Sequence, residues 1–138
     1  MKVEATTIEE LIEKSGDQKQ NMLFLDALVQ EHAPNLSRRL FIGASITMIG
    51  YGEMPWQTKS STESWPLISL APQKGSTNLY IAGQKDGKGL LEIYASSLGK
   101  VSCGKSCVRV KKPENLNVEA FGELIKDAQH WLDLQEEK

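Results

Sequence analysis

The residues best suited to chemistry fall in one stretch, from Gly99 to Pro113. It holds both cysteines and five of the sixteen basic residues. Gly99 through Lys105 and Ser106 satisfies G-x-x-x-x-G-K-[ST], the pattern of a phosphate-binding loop. In such a loop a strand runs into the glycine turn and a helix runs out, so that backbone N–H groups and the helix N-terminus converge on phosphate. Here the predicted order is the reverse. Leu90, Leu91, Tyr94, Ala95 and Leu98 recur at helical spacing, and Gly99 stands where that helix should end. The residues from Ser106 to Lys111 alternate as a strand, with Val108 and Val110 on one face and Cys107, Arg109 and Lys111 on the other. No helix opens at Ser106, and no later hydrophobic strand ends in an aspartate suited to magnesium. The match is read as accidental.

Other chemistry in this stretch is weighed residue by residue. On one continuous strand, Cys103 and Cys107 would stand roughly 13 Å apart, too far for a disulfide; a turn at Gly104-Lys105 would bring them closer. His32 and His130 complete a nominal zinc set with the cysteines, but no pair has the tight local spacing of a structural site. Cys107 shares its predicted strand face with Lys105 and Arg109, and nearby cations lower a thiol pKa. A nucleophilic cysteine also needs a base in reach, and nothing in the sequence brings either histidine to it. Lys100, Lys105, Arg109, Lys111 and Lys112 form a basic patch, read either as an anion site or as a solvated strand face. Tyr51, Trp56, Trp65 and Tyr80 either line a pocket or fill the core. Glu9, Glu10, Glu13 and Asp17 read as a solvated helix face, or alternatively as a surface of hard oxygen ligands.

These residues must be carried by one domain spanning 1–138, long enough for a real core. Hydrophobic residues make up 40% and charged residues 25%, an ordinary globular balance. A net charge of −2 gives no bulk drive toward nucleic acid or an anionic membrane. The longest uncharged run, Leu40 to Gly52, is too short to span a bilayer. With two cysteines and no signal-peptide pattern, the expectation is a cytoplasmic protein with reduced thiols.

Thr7 with Glu10 has capping-box spacing and opens a short helix that stops at Ser15-Gly16. A second helix starts after Asp17, buries Met22, Leu25, Leu28 and Val29, and ends before Pro34. Asn35 is read as capping a short third helix containing Arg38 and Arg39. Three strands follow, at 46–52, 65–72 and 77–83, close enough together for antiparallel pairing. Gly50 and Gly52 suggest a bend or a close approach. After a turn at Asp86-Gly87 come the helix ending at Leu98 and the 106–111 strand. Asn117 caps a long last helix with Val118, Phe121, Leu124, Ile125, Ala128, Trp131 and Leu132 on one face. Gly122, inside it, implies a packing requirement. The expected fold is α+β: two N-terminal helices, an antiparallel sheet of about four strands, a helix before the last strand, and a C-terminal helix packed on the sheet.

In this order, the segments from Ser45 to Gly52, Trp65 to Lys74, Asn78 to Ile81, and Leu98-Gly99-Lys100 through Gly104 to Lys112 together resemble the YdhG-like family, a bacterial domain of unknown function. The likeness runs from about Thr7 to Ala128. Glu63-Ser64 departs from the glycine-aspartate that usually precedes the tryptophan-proline. The resemblance implies a small cytoplasmic α+β domain and no established reaction; one branch of the family is linked to frataxin-like iron delivery.

Taken together, the expectation is a non-enzymatic binding module, monomer or homodimer. Tyr51, Trp65, Tyr80, Lys100, Lys105, Cys107 and Arg109 would take a small anionic ligand or an acidic protein partner, with no cofactor, nucleic acid or membrane. The alternatives are a frataxin-like iron chaperone and a cysteine-dependent enzyme centred on Cys107.

Overall fold

The computed structural model describes residues 3–43, 46–57, 64–104 and 107–136, except for the side chains of 55–57, 64, 65 and 136. The N-terminal helices form where capping places them. Glu10 N–H donates to Thr7 Oγ1 at 3.0 Å, while the Glu10 carboxylate accepts from Thr6 N–H at 2.8 Å. This opens α1 (Ile8–Glu13), and a short 3-10 turn then leads into α2 (Lys19–His32). Met22, Leu25, Leu28 and Val29 are buried on α2, as their spacing requires.

The sheet has six strands rather than four: β1 (Arg38–Ile42), β2 (Thr47–Gln57), β3 (Ser64–Gln73), β4 (Ser76–Ile81), β7 (Ser102–Cys103) and β8 (Cys107–Val110). They lie in the order β1-β2-β3-β4-β8-β7, every neighbour antiparallel. A separate small hairpin, β5 (Gln84–Lys85) with β6 (Lys88–Gly89), turns at Asp86-Gly87 and leads into α3 (Leu90–Tyr94). The final helix, α4 (Val118–Glu136), is capped by Asn117, whose Oδ1 accepts from Glu119 and Ala120 N–H at 3.2 Å each.

Strand alternation sorts the sheet into two unlike faces. Ile49, Tyr51, Ile68, Leu70, Leu79, Ile81, Val108 and Val110 pack with the helices in one continuous core. Phe41, Met48 and Ala71, with Ile46 and Tyr80 beside them, form a small apolar cluster on the other face. α4 closes the core with Phe121, Leu124, Ile125, Ala128 and Leu132, whereas Val118 at its start is exposed. The requirement at Gly122 is a close approach: a Cβ there would stand 2.7 Å from the His32 ring. The two helices touch at that point, and Gln129 Nε2 donates to the His32 carbonyl at 3.0 Å.

Two polar networks hold α2 to the sheet. Near its start, Asn21 Nδ2 donates to the Val110 carbonyl at 2.8 Å and to Gln18 Oε1 at 3.0 Å, and Thr77 Oγ1 donates to Gln18 Oε1 at 2.9 Å. Farther along, buried Asp26 receives Arg38 Nε at 3.0 Å, Arg38 Nη2 at 2.6 Å and the Tyr51 hydroxyl at 2.5 Å. Arg38 and Tyr51 face each other across β1 and β2. This is where the structure corrects the third helix expected at Arg38 and Arg39. Arg38 is drawn into a strand by its partner Asp26, twelve residues earlier, and Arg39 points to the other face, over the Phe41 ring at 5.3 Å. Asp26, with its hydrogen bond the first cause, raises the Arg38 pKa, and burial followed by the Asp26 charge drives the Tyr51 phenol well above its usual range.

Asp26→Ala is expected to lower unfolding free energy by about 3–5 kcal/mol, because it strands the Arg38 charge inside the fold. Tyr51→Phe is expected to lower it by about 1–3 kcal/mol, since one acceptor loses a hydrogen bond. Urea denaturation of both variants checks this, and an Asp26→Ala midpoint equal to wild type contradicts it.

Candidate anion-binding face

The glycine-lysine loop is built on the chain itself. Gly99 has φ +99°, and a Cβ there would lie 2.2 Å from the Asn115 carbonyl oxygen, so only glycine fits. Lys100 N–H donates to Asn115 O at 2.9 Å, Asn117 N–H donates to Leu98 O at 2.9 Å, and Val101 N–H donates to Gly99 O at 3.0 Å. Gly104 N–H donates to Cys107 O at 2.7 Å and closes the β7–β8 hairpin. The Lys100, Val101 and Gly104 N–H groups are thus spent on backbone carbonyls, and a strand, Cys107–Val110, follows where a nucleotide site needs a helix. Lys105 and Ser106 lie outside the described residues.

The hairpin also settles the cysteines. Cys103 lies directly opposite Val108 and packs against the helix-side core, while Cys107, next to Val108 in sequence, lies opposite Tyr80. The two thiols therefore occupy opposite faces of the sheet, and both are free. Burial pushes both thiols up. At Cys107 the Arg109 charge and the hydrogen bonds of Tyr80 and Arg109 oppose that shift without overcoming it. The thiol-lowering effect expected from the neighbouring cations is thus outweighed by desolvation.

On the face away from the helices, register aligns two rows across the strands. One runs Gly50, Ser69, Tyr80, Cys107; the other runs Ala71, Asn78, Arg109, Ser102. Arg109 is exposed and Tyr80 half-buried. Arg109 forms no ion pair with a carboxylate among the described residues, whereas Arg39 on the same face is bound to Glu53 at 2.7 Å. Asn78 is held in place, accepting from Ser76 Oγ at 3.2 Å and donating to the Tyr80 hydroxyl at 3.4 Å. Ser69, 1% exposed, has no hydrogen-bond partner for its hydroxyl among the described residues.

Of the expected ligand residues, Tyr80, Cys107 and Arg109 come together on this face. Tyr51 does not: it lies on the helix side with Ile49, bonded to Asp26, and cannot share a pocket with Arg109. Lys100 is exposed on the loop pinned to Asn115. Trp65 lies in β3 with its side chain outside the description, as does that of Trp56 in β2. Lys111 and Lys112 are exposed past the end of β8. The sequence reading missed Asn78, Ser102 and Ser69. Alternation against Leu79 and Ile81 already placed Asn78 beside Tyr80, but Ser102 needed the hairpin.

Two of the early acidic residues serve the helix ends. Glu10 belongs to the cap and lies 3.8 Å from Lys14, and Glu13 pairs with Lys19 at 2.8 Å. Among the described residues, no group of three or more histidine, cysteine or acidic side chains is arranged to hold a metal. No described helix is long and apolar enough to cross a membrane. No protein-family model, curated protein or solved structure matches the chain.

Because both thiols bind their protons more tightly in the folded state, they stabilise it below the unfolded thiol pKa of about 8.5. That contribution disappears as pH rises through the higher folded values. Iodoacetamide at pH 7.5 is expected to label both cysteines more slowly in the native protein than in urea, with two labels after unfolding and no reductant. Equal native and unfolded rates, or an intact mass two daltons light, contradict this placement.

Proposed function

We propose that this chain is a non-enzymatic binding domain whose sheet face turned away from the described helices holds, around Arg109, the anionic group of a small ligand or of an acidic protein segment. One observation carries the reading. Arg109 stands exposed between Asn78 and Ser102, next to the Tyr80–Cys107 pair, with no carboxylate on it among the described residues. A guanidinium offers a planar fork of donors suited to carboxylate or phosphate, and the Ser102 hydroxyl is a second donor beside it. Tyr80 adds an aromatic body with a hydroxyl at its tip. Lys100 supplies charge from the neighbouring loop through its ammonium rather than its backbone.

The neighbours of Cys107 named above, Tyr80 and Arg109, include no histidine or carboxylate to take a thiol proton, which favours binding over nucleophilic catalysis. The resemblance to the YdhG-like family implies a fold and no established reaction, and so does not choose between the classes. Of the four acidic residues that an iron chaperone would use, Glu10 is engaged in capping and with Lys14, and Glu13 with Lys19, so the frataxin-like alternative ranks below. Two free thiols suit a reducing, cytoplasmic setting.

Inorganic phosphate and succinate, titrated into the labelled protein and followed by amide and arginine side-chain NMR, test the reading. Saturable shifts are expected at Arg109, Tyr80, Cys107 and Ser102, weakening as salt is added. Arg109→Ala is expected to weaken binding about tenfold or more, the scale of one charge-assisted contact. Shifts confined to residues 99–101, or unchanged in Arg109→Ala, contradict it.

A further inference from the structure

A second site lies on the other side of the molecule. α4 presents Asp127, His130, Trp131 and Leu134 at i, i+3, i+4 and i+7, a single stripe of the helix. With Lys85 and Asp86 of the small hairpin they line a cleft of about 430 Å³, within the range of small-molecule sites. The Tyr94 hydroxyl donates to Asp127 Oδ2 at 2.6 Å and fixes the carboxylate. Burial, followed by the Asp127 hydrogen bond, pushes that phenol up to about 12, so it remains a donor at neutral pH. Asp127 Oδ1 has no hydrogen-bond partner among the described residues.

Lys85 shows what the cleft attracts. Its Nζ lies 3.8 Å from Asp127 Oδ2, within ion-pair range but too far for a hydrogen bond. Its side chain is 58% exposed, so little holds it there. Two carboxylates, Asp86 and Asp127, oppose this one ammonium. Trp131, half-buried against the core, lines the cleft one helical turn away, and an aromatic ring favours a cation and its alkyl chain.

We propose that this cleft binds a primary alkyl ammonium, with Asp127 as its counter-ion and the Trp131 ring against its alkyl chain. A free amine and a lysine side chain share this chemistry. The ligand takes the open Asp127 oxygen and displaces Lys85 from its loose contact. This site is independent of the Arg109 face and selects the opposite charge.

The test uses the full chain and three isosteres: n-butylammonium, n-butanol and butyrate. Binding is read from the Trp131 indole N–H cross-peak, assigned with Trp131→Phe. A saturable shift is expected with n-butylammonium and none with the neutral or anionic compound. Asp127→Asn is expected to weaken binding about tenfold or more, the scale of one lost ion pair in a cleft. Lys85→Ala is expected to strengthen it, because the competing ammonium is gone; it also provides a second readout that does not depend on the Tyr94 bond. N-acetyl-lysine methylamide binding as well as n-butylammonium identifies a peptide source, and binding of the free amine alone identifies a small metabolite. Equal binding of butanol, tighter binding of butyrate, weaker binding in Lys85→Ala, or no change in Asp127→Asn overturns the proposal.

Discussion

The Asp26 carboxylate determines which side of this sheet is covered. It sits on α2 beneath a cross-strand pair, Arg38 and Tyr51, and accepts three hydrogen bonds from them. A carboxylate this buried needs such compensation, and removing any member leaves a polar group exposed to a low dielectric. Its partners lie on the first two strands. The Gln18–Asn21–Thr77 network, with its bond to Val110, ties the other end of the same helix to the β4–β8 side. α2 is therefore fixed across the sheet at two separate points. The helix-side core forms under it, and the rows through Tyr80 and Arg109 are left facing away.

That division decides what the polar residues can do. Asn21, Gln18 and Thr77 lie between α2 and the sheet and are consumed in joining the two; Thr47, on the same side of the sheet, donates to the Val3 carbonyl at 2.6 Å and ties down the segment ahead of α1. Arg109, Ser102 and Tyr80 face the other way and hold no helix. The loop from Gly99 to Gly104 shows the same economy. It has the composition of an anion cradle, but its Lys100, Val101 and Gly104 amides close on Asn115, Gly99 and Cys107. Its work is to carry the chain from α3 into the hairpin that presents Arg109.

Local signals were legible wherever the interaction that sets the structure is also local. Thr7 with Glu10, Asn117 ahead of α4, and the alternation of Val108 with Val110 all act within a few residues and can be read directly. The spacing of Phe121, Leu124, Ile125, Ala128 and Leu132 likewise shows which face α4 buries. Arg38 was misread because its conformation is set by Asp26 and Tyr51, at separations of twelve and thirteen residues. Neither is visible from propensity. β7, two residues long, carries no periodicity and exists only because Ser102 and Cys103 find β8. Part of the site was legible. The alternation that buries Leu79 and Ile81 must turn Tyr80 outward, and the alternation through Ile49 must turn Tyr51 inward. Weighing Tyr51 with Tyr80 as one aromatic group overlooked that parity.

The central claim is that the Arg109 corner of the sheet face turned away from the helices, and not the glycine-lysine loop, is where this molecule meets an anion. Anomalous diffraction from crystals soaked in selenate locates the heavy anion without assuming its partner. The account predicts a peak within hydrogen-bond distance of the Arg109 guanidinium, on the face that carries Tyr80. A peak seated on the backbone of residues 99–101, with none at Arg109, would contradict it.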